Sequence, residues 1–134
     1  LVLADRHPDL PIVVDHAGKP DLTRGWNPAW AADMAALARR PSVACKLSGL
    51  LTEAPPGADA AMLRPVVRHL LDCFGPERLM WGSDWPVLTL AAGYDRWVAL
   101  TDELLAELPA PDRALVLGGT AARLYLSRRG RRTA

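Results

Sequence analysis

The sequence lacks several features that define whole classes of protein. None of its apolar runs approaches the roughly 18 residues that a membrane-spanning helix needs. Its 16 basic and 15 acidic residues leave a net charge of +1, so neither sign dominates. This balance gives no reason to expect a nucleic acid or an anionic membrane as a partner. We therefore expect neither as a partner, and the oligomeric state is left open.

Known catalytic and binding motifs are also missing. The chain has no HExxH, CxxC, GxxxxGK or GxGxxG motif, so zinc-protease, zinc-ribbon and nucleotide-binding hypotheses lack support. It has no GxSxG motif, which excludes the usual serine nucleophile elbow. The two cysteines, Cys45 and Cys73, stand far apart in sequence, and we expect free thiols in a reducing cytoplasm rather than a disulfide.

What the chain does have is an apolar content of 50%, arranged in alternating strand and helix patterns. The sequence begins with what resembles the end of a helix, and residues 52–57 read as a loop. Three short strands are predicted, at residues 12–14, 43–47 and 79–81. Helices are predicted from Asn27 to before Pro41, from about 61 to 74, from 94 to 108, and from 112 to 126 with an interruption at Gly118-Gly119. This βα alternation predicts an α/β fold with parallel strands.

Each predicted strand ends in polar, chemically capable residues. The three ends are Asp15-His16, Lys46-Leu47-Ser48-Gly49 and Ser83-Asp84-Trp85. In parallel α/β folds the carboxyl ends of the strands lie at one edge, where binding sites form. The repetition therefore predicts one shared cleft built from all three ends.

The residues alone leave two interpretations open for each of the main candidates. His16 suits a metal ligand or a group that polarises a carbonyl, and equally a structural histidine. Asp84 suits a cation ligand or an acceptor of a proton from water, and equally a turn or helix-capping aspartate. Asp15 is expected to face the opposite side of the strand from His16, because side chains alternate along a strand.

The remaining polar and aromatic candidates divide in the same way. Lys46 suits a binding group for a substrate carboxylate, or a lysine whose stem covers the rim of the sheet. Ser48 offers a hydroxyl, and Trp85 is placed to form a wall of the site. His7 and His69 are expected to be structural or solvated.

Four ordered segments carry a resemblance to a known family. They are LPIVVDHAGKP at 10–20, CKLSGL at 45–50, FGPERLMWGSDWP at 74–86 and GTAARLY at 119–125. Together they resemble the amidohydrolase-related TIM-barrel hydrolases, and within them the sugar-lactonase branch that includes fuconolactonase- and rhamnonolactonase-like proteins. The resemblance covers essentially the whole chain.

The resemblance implies a partial (β/α)8 TIM barrel in which the three strands are the sixth, seventh and eighth. It implies that Asp84 is the general base and that His16 polarises the substrate carbonyl. It implies either one divalent metal, zinc or manganese, held by His16 and Asp84, or a site that works without a metal. Lys46, Ser48 and Trp85 would then line the substrate pocket.

One departure from the family pattern limits these expectations. The family's first strand ends in a His-x-His pair, which this sequence does not contain. A complete barrel needs about 250 residues, so we expect residues 1–134 to be the C-terminal portion of a barrel domain, inactive alone. The resemblance implies a small-molecule substrate, and the expected activity of the parent is hydrolysis of a small sugar-acid lactone. The alternatives are a metal-dependent decarboxylase, and a truncated chain without chemistry or with half of a site completed by another polypeptide.

Overall fold

A three-stranded parallel sheet organises the computed structural model, which describes residues 2–126. Strands β1 (Ile12–Val14), β2 (Val43–Leu47) and β3 (Leu79–Trp81) lie side by side in chain order. Both strand pairs are parallel, with Val14 opposite Cys45 and Cys45 opposite Leu79. The predicted α/β fold with parallel strands is confirmed, and so are the three strand positions.

The two faces of the sheet differ in what covers them. Val43, Cys45 and Leu47 alternate along β2 and are fully buried in the main hydrophobic core. Because successive side chains of a strand point to opposite faces, Lys46 lies on the other face and is only partly buried. The sheet therefore has a helix-covered face and a face that carries a charged side chain toward the strand ends.

The helices follow the sequence prediction closely at their capped ends. They are α1 (Val2–Arg6), α2 (Pro28–Ala38), α3 (Leu50–Glu53), α4 (Ala60–Phe74), α5 (Tyr94–Leu104), α6 (Ala110–Ala114) and α7 (Thr120–Tyr125). The Asn27 side chain accepts a hydrogen bond from the Trp30 amide at 3.0 Å, so it caps α2 as predicted. Leu1 lies outside the described residues. Among the described helices, none is both long and apolar enough to cross a membrane.

Helix α4 supplies much of the core and begins slightly earlier than predicted. The Asp59 side chain accepts a hydrogen bond from the Met62 amide at 2.9 Å and caps the helix. This cap starts the helix at Ala60, which leaves Pro65 beyond the first turn, on the exposed side. Its apolar stripe is buried, as the spacing predicts, and comprises Leu63, Val66, Val67, Leu70 and Phe74.

Two local predictions are wrong. The helix predicted from 94 to 108 ends at Leu104. Residues 52–57 are not all loop, because α3 extends to Glu53 and the Thr52 hydroxyl closes its turn by donating to the Gly49 carbonyl at 2.9 Å. Because α6 ends at Ala114 and α7 begins at Thr120, the last α-helix is interrupted at the predicted glycines, Gly118 and Gly119. They lie in a π-helical segment, Leu115–Gly119, that joins α6 to α7, and Gly119 keeps helical angles (φ −57°, ψ −43°).

Both cysteines are free thiols, as predicted, and Cys45 is fully buried in β2. Burial raises the pKa of the Cys45 thiol to about 12. At about pH 8 only about one molecule in 10⁴ then carries the reactive thiolate.

We expect iodoacetamide to leave native Cys45 unmodified and to alkylate it once urea unfolds the chain, as read by mass spectrometry. Equal alkylation rates before and after unfolding would contradict this packing.

Candidate active site

The three strand ends converge on one cluster of side chains: His16 after β1, Ser48 after β2 and Asp84 after β3. Nδ1 of His16 lies 2.9 Å from Oγ of Ser48, and Nε2 of His16 lies 3.6 Å from Oδ1 of Asp84. The imidazole therefore lies between a hydroxyl on one side and a carboxylate on the other. The structure brings these three predicted residues together at the carboxyl edge of the sheet.

An unusual backbone presents His16 to this edge. His16 (φ 49°), Ala17 (φ 52°) and Gly18 (φ 66°) form a run in the left-handed region directly after β1. Non-glycine residues there cost about 1 kcal/mol or more each, so other contacts must hold the turn. One of them is the Trp30 indole, whose Nε1 donates to the buried Ala17 carbonyl at 2.7 Å.

Gly49 makes room for the imidazole. Its φ of 66° is unfavourable for side chains, and a Cβ placed there would lie 2.8 Å from Cβ of His16. Both the positive φ and the short distance to His16 therefore require glycine after Ser48. Ser48 itself is 1% exposed, so its hydroxyl faces His16 and not solvent.

Asp84 is held by the chain around it, and its carboxylate stays available. Its side chain is only 10% exposed and its φ is 59°. The turn that follows is closed by Ser83, whose Oγ accepts from the Trp85 amide at 3.2 Å. The preceding strand end is fixed by Trp97, whose Nε1 donates to the Gly82 carbonyl at 2.9 Å. The turn-forming role considered for Asp84 thus belongs to the Ser83 side chain.

Asp15 lies in the cluster, which the sequence reasoning missed. Its Oδ1 is 3.0 Å from Nζ of Lys46 and its Oδ2 is 3.5 Å from Nε2 of His16. The expectation that Asp15 faces away is wrong, because strand alternation ends at Val14 and the left-handed turn brings both neighbours to one side. Partial burial alone would raise the pKa of Asp15, but the Lys46 hydrogen bond and the nearby charges hold that pKa below its ordinary value.

The other predicted residues take different positions. Trp85 directly follows Asp84 and is 66% exposed, on the solvent side of the cluster. His69 lies outside the site, with Nε2 2.9 Å from the Ala31 carbonyl oxygen and its ring against Trp26 and Trp30. His7 is exposed.

A cleft of about 430 Å³ opens beside the cluster, between the segments that follow β2 and β3. Its walls include Lys19, Glu53, Val87, Leu90 and Arg96. Nζ of Lys19 lies 2.9 Å from Oε1 of Glu53. Glu53 raises the pKa of Lys19, chiefly through this hydrogen bond. The wall residues Lys19, Leu51 and Val87 each follow a member of the cluster by three residues, so the cleft adjoins the cluster.

The cluster meets part of the requirement for a divalent metal. The separation of 3.6 Å between Nε2 of His16 and Oδ1 of Asp84 suits two ligands of one cation. One oxygen of the Asp15 carboxylate, Oδ1, is already paired with the Lys46 ammonium. Within residues 2–126 no group of three His, Cys, Asp or Glu side chains is arranged to hold a metal.

The parallel sheet and its polar strand ends define an α/β protein of the kind that assembles a site at the carboxyl edge of barrel strands. Comparison with known sequences then identifies the group. Residues 2–126 match the amidohydrolase family, and the chain belongs to that family. The family resemblance inferred from the sequence is confirmed.

Three relatives with hydrolase names are longer than this chain. An L-fucono-1,5-lactonase of Burkholderia ambifaria is 46% identical over 129 residues, covering 93% of this chain and 44% of the relative. A zinc-bound amidohydrolase structure from Burkholderia multivorans superimposes with a TM-score of 0.85 at 42% identity, covering 93% of this chain and 47% of its own. A 4-sulfomuconolactone hydrolase of Rhizobium radiobacter is 30% identical, covering 76% and 39% respectively. The chain spans less than half the length of each.

The fit of Gly49 against His16 yields a stability prediction with a matched control. Gly49→Ala should lower the free energy of unfolding by about 2 to 4 kcal/mol, through left-handed strain and the clash with His16. Gly57 also has a positive φ (83°), but a Cβ added there would meet no atom within 4 Å, so Gly57→Ala carries the strain alone. Urea unfolding of both variants gives the difference. Equal losses would show that the contact with His16 is not close.

Proposed function

We propose that this chain is the C-terminal part of a barrel hydrolase that opens a sugar-acid lactone, as the 46%-identical L-fucono-1,5-lactonase does by its name. The observation that carries the proposal is the position of His16 between Ser48 and Asp84, at 2.9 Å and 3.6 Å. This arrangement pairs a carboxylate that can take a proton with an imidazole that can contact a carbonyl oxygen.

Asp84 acts as the general base in this scheme. Its carboxylate takes one proton from a water molecule while the water oxygen bonds to the lactone carbonyl carbon. The carbonyl π electrons move to oxygen and form an oxyanion. When the C=O bond reforms, the ring C–O bond breaks, and the departing ring oxygen receives the proton from Asp84. The product is an open-chain hydroxy acid, and Asp84 is ionised again.

His16 stabilises the oxyanion. When the Ser48 hydroxyl donates to Nδ1, the neutral imidazole carries its proton on Nε2, which lies beside Asp84. That N–H then points to the position where negative charge develops. Ser48 is therefore a positioning residue, because it sets both the orientation and the tautomer of His16.

A divalent cation such as zinc or manganese, when bound, would polarise the lactone carbonyl as a Lewis acid. His16 and Asp84 are the donors that residues 2–126 offer it, with the opposite tautomer at His16. The remaining donors would have to come from other strands. No step of the scheme above requires them.

The remaining strands of the barrel are also part of the proposal. β1 and β3 are the outer strands of the sheet that residues 2–126 form, and each has one edge without a partner strand there. We expect a longer open reading frame in which an upstream strand ends in His-x-His, and no lactonase activity from residues 1–134 alone. The alternative chemistry is decarboxylation, which carbon dioxide release from an aromatic acid would reveal.

Removal of the Asp84 carboxylate tests the proposed general base. In the full-length protein, Asp84→Asn should lower kcat for L-fucono-1,5-lactone by about 10²- to 10⁴-fold with little change in KM, because the amide cannot take the proton. Asp33→Asn, on the exposed side of α2, is the control and should keep wild-type activity. Unchanged kcat in Asp84→Asn contradicts the mechanism, and a wild-type protein that opens no sugar lactone contradicts the function.

The positioning role of Ser48 gives a separate prediction. Ser48→Ala should lower kcat about tenfold and reduce the fraction of His16 protonated at Nε2, as read from imidazole ¹⁵N shifts. Ser42→Ala is the matched control, because the buried Ser42 hydroxyl has no hydrogen-bond partner in the part of the chain that the structure describes. A Ser48→Ala protein with an unchanged tautomer and unchanged kcat would remove Ser48 from the account.

A further inference from the structure

The two lysines around the proposed site are each paired with a carboxylate. Lys46 lies 3.0 Å from Asp15, and Lys19 lies 2.9 Å from Glu53. Among the described residues, the carboxylate of Asp84 has no cation within salt-bridge distance except His16, which is cationic only when protonated. The lysines at this end of the sheet are therefore already matched by carboxylates before any substrate arrives.

Arg96 is the third cation near the proposed site, and its hydrogen bonds go to backbone carbonyl groups. Arg96 lines the cleft and donates to the carbonyl oxygens of Gly57 and Ala58, at 3.4 Å and 2.9 Å. With Arg96 counted, the described residues bring three cations and three carboxylates to this region. The carbonyl groups of Gly57 and Ala58 are neutral, so Arg96 keeps its net charge in the cleft. Beside His16 the cation is Lys46, which Asp15 already pairs, so a substrate carboxylate or sulfonate there would approach Asp84 and Asp15.

The Asp15–Lys46 pair carries no net charge, but both of its side chains are exposed enough to contact a ligand. The Asp15 side chain is 54% exposed and the Lys46 side chain 34% exposed. A carboxylate accepts hydrogen bonds and an ammonium donates them, so together they can bind one hydroxyl group or two neighbouring ones. Because Oδ2 of Asp15 lies 3.5 Å from Nε2 of His16, the pair lies next to the position proposed for the carbonyl oxygen.

We propose that the Asp15–Lys46 ion pair determines substrate specificity: it binds the hydroxyl groups nearest the lactone carbonyl and disfavours lactones that carry a carboxylate or sulfonate. The inference rests on the proposed lactonase function and deepens it. It replaces the sequence hypothesis in which Lys46 holds a substrate carboxylate, because Asp15 already occupies that ammonium. A purely structural ion pair between the ends of β1 and β2 is the competing explanation, and it predicts no change in selectivity.

Two lactones that differ at one group test the proposal. D-Glucono-1,4-lactone is neutral, and D-glucaro-1,4-lactone carries a carboxylate where the first has a hydroxymethyl group. Selectivity is the ratio of kcat/KM for the charged to the neutral lactone, measured on the full-length protein. For a lactone that binds without being opened, its share of the selectivity ratio is taken from its competitive inhibition of L-fucono-1,5-lactone hydrolysis.

Substitution of either partner should shift the ratio in opposite directions. Asp15→Asn leaves Lys46 unpaired and should raise the ratio by about fivefold, the scale of a partly exposed ion pair. Lys46→Gln leaves Asp15 unpaired and should lower the ratio by a similar factor. Because the two variants should shift the ratio in opposite directions, general damage to the site cannot produce both shifts. If one variant fails to fold, the shift of the ratio in the other still tests the proposal.

A matched control comes from the opposite end of the sheet. Asp5 is also 54% exposed and pairs with Arg40 at 2.6 Å, so Asp5→Asn unpairs a cation far from the strand ends that form the site. It should leave the ratio unchanged. A wild-type preference for the charged lactone, or an unchanged ratio in Asp15→Asn and Lys46→Gln, overturns the specificity proposal. Absence of lactonase activity in the wild-type protein instead overturns the proposed function.

Discussion

The hydrogen bond between Ser48 and His16 is the interaction on which the proposed site depends. It joins the end of β1 to the end of β2 across 32 residues of sequence, and it turns Nε2 of the imidazole toward Asp84. Its geometry requires the left-handed turn at His16, and that turn requires glycine at position 49. A change in any of these elements would move the imidazole, so backbone strain and the geometry of the proposed site are linked.

The same turn explains why charge is distributed as it is. By carrying Asp15 to the side of His16, it places a carboxylate within reach of Lys46, which extends from the face of β2 opposite the core. The sheet thus separates an apolar face that stabilises the fold from a polar edge where each lysine has an acidic partner. Such an edge suits a neutral, hydroxylated substrate, in keeping with the proposed sugar-acid lactone.

Much of this arrangement can be predicted from sequence because it follows from local rules. Short apolar runs predict the strands, and parallel topology places their polar ends at one edge, which is why His16, Ser48 and Asp84 are candidates from the sequence alone. The sequence pattern puts Asp15 on the wrong side because alternation holds only while the backbone is extended. The Ser48–His16 contact joins distant segments, and no local pattern in sequence contains its distance.

The most direct measurement is a crystal structure of the full-length protein with the lactam analogue of L-fucono-1,5-lactone, which resists hydrolysis. The account predicts the lactam carbonyl oxygen at about 3 Å from Nε2 of His16, with the Asp84 carboxylate beside the face of the carbonyl carbon that water attacks. It also predicts that ring hydroxyl groups contact Asp15 and Lys46. A lactam bound away from His16, or with its carbonyl directed away from both His16 and Asp84, would contradict the account.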